Sequence, residues 1–264
     1  MRSLSTLSAA EAKALRGLVF DLDGTFLSDG RLELASLQAL GELAASGLGL
    51  VVCTGRPAAW GEVVQRLWPV DATVTENGAV AYRSAGVAVE RLDRLAPDAR
   101  GRRRAQLLTV LEQLRLRHPE VPLADDNLGR LSDVTFDIGE RAKQPEAVVQ
   151  ALTAEAHDLG ARTFRSSIHL HITLDADDKA SGTLHTLSQV RGEEPSAALS
   201  SWAFVGDSAN DQACFTAFRT TFGVRNITAH LPGMTQGPRY VSDAEQGAGF
   251  VEIAERLLAL RKAG

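Results

Sequence analysis

Two kinds of apolar pattern alternate along the chain. The first is the unbroken run: Leu18, Val19 and Phe20 after Gly17, then residues 48–53, then residues 202–205. Short apolar runs bounded by glycine predict strands covered on both faces, as in parallel sheets. The second pattern recurs at helical spacing, as in Leu34, Leu37, Leu40, Leu43 and Ala44, with Gly47 as the stop. Ser28, Asp29 and Gly30 predict a tight turn or short hairpin over 26–32. Pro57 suits the first turn of a helix running to about residue 67, and 72–75 reads as a third strand. Strand, helix, strand, helix, strand in this order predicts a parallel sheet with right-handed crossovers.

The rhythm changes after residue 80. Residues 80–82 and 87–92 read as paired strands across Ser84, Ala85 and Gly86. A helix over 97–117 follows, with Leu107, Leu108, Leu111 and Leu114 on its stripe. Short strands are predicted at 134–138, 163–165 and 168–174, with a helix at 145–159 between the first two. Strands and helices without the alternating parallel pattern predict an α+β insert. From Asp177 the first rhythm returns: a helix to Val190, the strand at 202–205, a helix after Gly206-Asp207, short strands at 221–224 and 240–241, and a closing helix over 250–260. The expected fold class is therefore α/β, a Rossmann-like parallel-sheet core at 1–81 and 173–264 with an inserted α+β domain at 82–172.

Composition narrows the function classes. The 264 residues are 44% hydrophobic and 23% charged with a net charge of −5, the profile of a globular chain. The negative balance argues against nucleic acid or a membrane surface as partner. No apolar run approaches the roughly 18 residues of a membrane span. The N-terminal segment lacks a signal-peptide hydrophobic stretch. Two cysteines, Cys53 and Cys214, form no disulfide framework, so a cytoplasmic location is expected, with Cys53 as a small buried residue.

The candidate chemistry lies where strands end. Asp21 and Asp23 follow the first buried run, two residues apart, so both carboxylates can address one small volume. In open α/β sheets ligands bind just outside the carboxyl ends of the strands. Unpaired carboxylates gathered there need a cation, a shared proton or a task. Thr54 follows the second run, Gly206-Asp207-Ser208-Ala209-Asn210-Asp211 follows the run at 202–205, and Lys179 opens a helix. In a parallel sheet all can converge on one edge. Four carboxylates gathered at one edge call for charge neutralisation, which a hard divalent ion with oxygen ligands such as Mg²⁺ supplies.

The ordered set Asp21-x-Asp23-Gly24-Thr25, Thr54-Gly55-Arg56, Lys179 and Gly206-Asp207-x-x-x-Asp211 resembles the four motifs of the haloacid dehalogenase-like superfamily of phosphohydrolases. The match covers roughly 17–80 and 175–250. The insert between the second and third motifs, with Glu76-Asn77-Gly78 before it and Asp178-Lys179-x-x-Gly182 after it, resembles the C2B-type cap of the sugar-phosphatase-like subgroup. The resemblance implies a Mg²⁺-dependent phosphomonoester hydrolase acting through an aspartyl-phosphate on a small phosphorylated metabolite, a sugar phosphate. It implies Asp21 as nucleophile and Asp23 as acid and base. Thr54 and Lys179 meet the phosphoryl group. Asp21, Asp207 and the backbone carbonyl of Asp23 hold the metal. Thr25, Gly55 and Asn77 contact substrate, and Asn210 and Asp211 support Lys179 or metal-bound water. A phosphosugar mutase or phosphotransferase, and a non-catalytic binding module of the same fold, are the alternatives. Oligomeric state is left open.

Other features carry less. Arg100, Arg102, Arg103 and Arg104 read as a solvated helix face. Arg56 reads as a partner for a nearby carboxylate, outside the catalytic set. His169 and His171 share a strand face, too few for a metal site, and lining a pocket from the insert is the other role open to them. Trp60, Trp68 and Trp202 read as core or domain-edge residues.

Overall fold

A computed structural model describes residues 1–166 and 168–262. In chain order the elements are β1 (Arg2–Ser3), α1 (Ala9–Ala14), β2 (Gly17–Phe20), α2 (Leu34–Ala45), β3 (Gly49–Cys53), α3 (Ala59–Leu67) and β4 (Ala72–Thr75). Next come β5 (Val80–Ala85), β6 (Ala88–Asp93), α4 (Pro97–Arg117), β7 (Asp133–Asp137), α5 (Glu146–Asp158), β8 (Arg162–Arg165) and β9 (His169–Thr173). The chain closes with α6 (Lys179–Arg191), α7 (Pro195–Ser201), β10 (Trp202–Gly206), α8 (Gln212–Ala217), β11 (Thr220–Gly223), β12 (Tyr240–Val241) and α9 (Gln246–Lys262).

Among the described residues the strands form a nine-stranded sheet, ordered β1-β12-β11-β10-β2-β3-β4-β5-β6, and a three-stranded sheet, ordered β7-β9-β8. The large sheet is parallel from β1 to β4. Alternate residues of its central strands feed opposite faces: Leu18 and Phe20 join the cluster under α2 and α9, while Val19 packs with Leu187, Ala198 and Phe215 of α6, α7 and α8. Both faces are therefore covered, which is why these strands read as unbroken apolar runs. Chain order reverses between β2 and β10. From β2 the sheet grows through β3 and β4 on one side, and after α6 it resumes at β10 on the other. Such a switch point leaves a crevice at the strands' carboxyl ends. Phe20 lies level with Val205 and Val52, so Asp21, Gly206 and Cys53 reach the same edge together.

The structure differs from the expected division of the chain at one place. Residues 82–93, allotted to the insert, continue the large sheet: β5 pairs antiparallel with β4 and β6 with β5. The three-stranded sheet carries α4 and α5 and a core of its own, including Leu107, Leu114, Phe136, Leu152 and Ile172. The polypeptide crosses between the two bodies after Asp93 and again near Asp175. Arg100, buried at the start of α4, ties both crossings, with 2.9 Å bonds to both oxygens of Asp93 and a 2.5 Å bond to Asp175. Arg103 donates to the Leu174 carbonyl and Arg104 to that of Asp133. The basic run is thus not a solvated face; of the four only Arg102, paired with Asp98, stands mostly in water.

Glu76 joins the bodies a third time. Its buried carboxylate accepts from the backbone N–H groups of Ala58, Leu131, Ser132 and Asp133 and from the Ser132 hydroxyl. A carboxylate offered this many donors tolerates burial that would otherwise be costly.

Candidate active site

Lys179 is the first helical residue of α6, whose end is closed by Asp178 and Ser181 in a reciprocal cap. The helix dipole disfavours an ammonium there. Two carboxylates reverse the balance: Nζ lies 3.1 Å from Asp21 Oδ1 and 2.7 Å from Asp211 Oδ1. The close approach of the Glu76–Gly78 turn to α6 needs two glycines, because a Cβ at Gly78 would strike the Asp178 carbonyl and one at Gly182 would strike Gly78. Asp211 also accepts, through Oδ2, from the N–H groups of Asp207 (2.9 Å) and Ser208 (3.1 Å). Both of its oxygens are engaged, so it holds Lys179 and the β10–α8 turn in place.

Asp207 sits beyond β10. Its Oδ1 accepts from Thr25 Oγ1 at 3.1 Å and its Oδ2 from Asn226 Nδ2 at 2.9 Å. Asn226 Nδ2 also reaches the Gly24 carbonyl, and Gly24 has φ +72° with a Cβ position that would collide with the Asp207 carboxylate. Oxygens of Asp21, Asp207 and Asp211 all lie within 4.8 Å of one another.

Burial pushes Asp21 up to about 7, against the pull of the Lys179 ammonium. Burial likewise drives Asp207 well above the usual carboxylate range, with Asp211 and Asp21 adding to it. Lys179, which burial alone would lower, is raised well above its ordinary value by Asp21 and Asp211. Three buried carboxylates thus share one ammonium, and the surplus negative charge with its hard oxygen donors suits a divalent cation.

Asp23 stands apart from this nest, its side chain 48% exposed. Arg56 grips it through two bonds, Nε to Oδ2 at 2.8 Å and Nη2 to Oδ1 at 2.5 Å. The guanidinium in turn lies 4.0 Å from the centre of the Trp60 ring. Arg56 pairs with a carboxylate as expected, and the carboxylate is the one singled out as acid and base.

Above the nest opens a cavity of 660 Å³. Asp21, Asp23, Gly24, Gly55, Asp207 and Asn210 line its floor. Its far wall comes from the β7–β9 body, including Arg130, Ser166, His169 and His171. Of the other expected site residues, Thr25 is buried and turned to Asp207, and Thr54 is buried with its Oγ1 accepting from Arg56 N–H at 3.1 Å. Asn77 is buried beside Gly55 in a left-handed conformation (φ 54°), and neither atom of its amide has a hydrogen-bond partner.

Residues 18–96 match the family model of the haloacid dehalogenase-like hydrolases. The matched stretch holds Asp21, Asp23, Thr54 and Arg56, and over it the chain is similar to that family. Phosphoglycolate phosphatase of Natronomonas pharaonis is 32% identical to this chain over 117 residues, 44% of the chain and 48% of that protein. The chain thus spans about half the length of the relative it matches. Among solved structures, a Thermoplasma acidophilum protein aligns with TM-score 0.74 at 19% identity, covering 93% of this chain and 99% of that one. The sucrose-phosphatase of Synechocystis, solved with sucrose and phosphate, aligns with TM-score 0.66 at 18% identity, covering 92% and 98%. These two likenesses show a shared fold.

Sequence reasoning missed Asn226, the Trp60 platform and the tie of His171 to Asp133 and Arg130, while the pocket-lining role left open for His169 and His171 is where the structure places them. Asn226 lies in a short 3-10 helix after β11, Arg225–Ala229, with no motif around it. Trp60, three residues after Pro57, carried the signal of an aromatic one helical turn from Arg56.

Proposed function

We propose that the chain is a phosphomonoester hydrolase of small phosphorylated metabolites, with a sugar phosphate as substrate. The observation that carries the reading is Asp21: a buried carboxylate held by Lys179 at 3.1 Å, beside Asp207, on the floor of a polar cavity. The phosphatases among its relatives support it.

Asp21 and Asp207, with the Asp23 carbonyl, are the groups that would hold Mg²⁺, which when bound neutralises phosphate charge that four carboxylates would otherwise repel. Asp21 attacks phosphorus and becomes the aspartyl-phosphate. Lys179 fixes the rotamer of Asp21 and adds positive charge beside the phosphoryl group. The Thr54 hydroxyl proton is available to a phosphoryl oxygen. Asp23 protonates the departing alkoxide and then takes the proton of the water that hydrolyses the intermediate. Thr25, Gly55 and Asn77 border the phosphate position. Asn210 and Asp211 steady the turn that carries Asp207. Residues 94–174 act as the cap that meets the leaving group, and the nine-stranded sheet with its helices is the catalytic core.

The test is a screen of phosphorylated metabolites and an aryl phosphate for Mg²⁺-dependent phosphate release, with Asp21→Asn as control. Turnover in the native chain and a loss of several powers of ten in the variant is the expected result. A variant keeping more than about a tenth of the activity would remove Asp21 as nucleophile.

A further inference from the structure

The cap wall of the cavity has a charge pattern that bears on the leaving group. Each arginine lining the cavity among the described residues is already engaged. Arg56 is bound to Asp23 through two bonds, and Arg130 grips Asp126 at 2.9 and 2.6 Å and Asp133 at 3.0 Å. His169 Nε2 lies 2.8 Å from Glu140. Around Arg130 two carboxylates face one guanidinium, so this wall offers negative charge and no open cation.

His171 is the exception in kind. Its Nδ1 lies 2.8 Å from Asp133 Oδ2, much closer than its 3.5 Å approach to Arg130. Burial alone would raise Asp133, but Arg130 and His171 hold it below its ordinary value, so it is ionised and accepts the Nδ1 proton. Burial lowers His171, which keeps the ring neutral. Nε2 is then left with a lone pair, without a hydrogen-bond partner among the described residues, on a ring that lines the cavity. The ring edge lies against Gly55, where a Cβ would come 3.5 Å from Cε1. It therefore stands beside the second motif at the cavity wall. An imidazole oriented by a buried carboxylate is a fixed acceptor, suited to a hydroxyl.

We propose that this wall admits a neutral, hydroxyl-bearing leaving group and turns away a carboxylate, with His171 Nε2 accepting a hydrogen bond from the leaving group and Asp133 orienting the ring. The inference rests on the phosphomonoesterase reading and adds the charge class of the substrate. A carboxylate would meet Asp125, Asp126 and Glu140 with no free cation, and would face the lone pair of Nε2. A hydroxyl donates to it.

The matched pair glycerol 3-phosphate and 3-phosphoglycerate differ only in –CH(OH)CH₂OH against –CH(OH)COO⁻, and test this directly. The native chain should show kcat/KM about tenfold or more higher for the glycerol ester. His171→Ala should lower that value about tenfold and the phosphoglycerate value less, so that the ratio falls towards one. His171→Gln, which keeps an acceptor, should recover part of the ratio. A structural role would move both esters equally, and that result would overturn the assignment of His171. A native ratio of one or below would overturn the charge selection, and it needs no variant. Aryl phosphate hydrolysis with the wrong ratio defeats this inference alone, whereas no hydrolysis of any ester defeats the proposed function and this with it.

Discussion

Arg56 meets Asp23 through two bonds while lying flat on Trp60, so both ends of the guanidinium are fixed. A carboxylate held this way is oriented to accept a proton from water, whereas an aryl leaving group needs little help from it. The two halves of the proposed reaction should therefore depend on Arg56 unequally. Arg56→Ala should slow hydrolysis of the aspartyl-phosphate about tenfold while changing its formation from an aryl phosphate much less. Rapid-quench single turnover separates the two steps, and equal slowing would sink the idea. The carboxylate nest gives a second expectation. Asp21 has a folded value of about 7 against an ordinary 3.8, so between those values the folded chain binds more protons than the unfolded one, and stability falls as pH rises through that window. A cation removes the penalty by taking the proton's place. The rise in Tm on adding Mg²⁺ to chelator-treated protein should then be largest near pH 8 and shrink steadily towards pH 5, as protons compete for Asp21. A Tm increment independent of pH over that range would count against Asp21 as a ligand.

At the scale of elements, legibility followed locality. Asp21, Asp207 and Lys179 could be read because each sits one residue beyond a strand or at a helix start, and strand ends in a parallel sheet share an edge. The bounds of α4 were equally plain from spacing. Two pieces were missed although their signals were local: α1 is announced by Ser8 and Glu11, which cap it reciprocally, and α7 by Pro195 at its first turn. What could not be read was pairing across the chain, such as Asn226 with Asp207 or His171 with Asp133, because it depends on how separate elements dock. The arginine run lies between these cases. Arg100, Arg103 and Arg104 are spaced i, i+3, i+4 and so share one face, with Arg102 off it. That face turns to Asp93, Leu174, Asp175 and Asp133. Removing one partner of a buried ion pair leaves the other charge uncompensated, a loss of about 3–5 kcal/mol. Arg100→Ala should lower stability by about that amount in urea unfolding, against under about 1 kcal/mol for Arg102→Ala, whose pair with Asp98 is exposed. Similar values for the two would mean the crossings do not depend on Arg100.

For the whole molecule, the division of the sheet decides where the chain can be shortened. Joining Asp93 to Asp175 by a short linker removes the β7–β9 body and leaves β5 and β6 on the large sheet. Replacing residues 82–172 instead strips β6 and most of β5, and exposes the edge of β4, a row of unpaired backbone groups. The first version, carrying Asp93→Asn and Asp175→Asn because both lose Arg100, should be monodisperse with a cooperative melt. The second should aggregate. Size-exclusion chromatography with circular dichroism distinguishes them, and equal behaviour would refute this placement of the boundary.

The single guanidinium bridging Asp93 and Asp175 has a further meaning. Where the inserted body leaves and rejoins the sheet, its two ends stand within reach of one side chain, so the remainder of the chain experiences the insertion as a closed loop of almost no span. Loop length then matters little to the core, since closure entropy grows only slowly with the number of residues enclosed. A different folded unit with neighbouring termini, whatever its size, could be grafted between Asp93 and Asp175 without asking the carboxylate edge to move. The junction is an exchange point, through which one carboxylate floor can be given many ceilings.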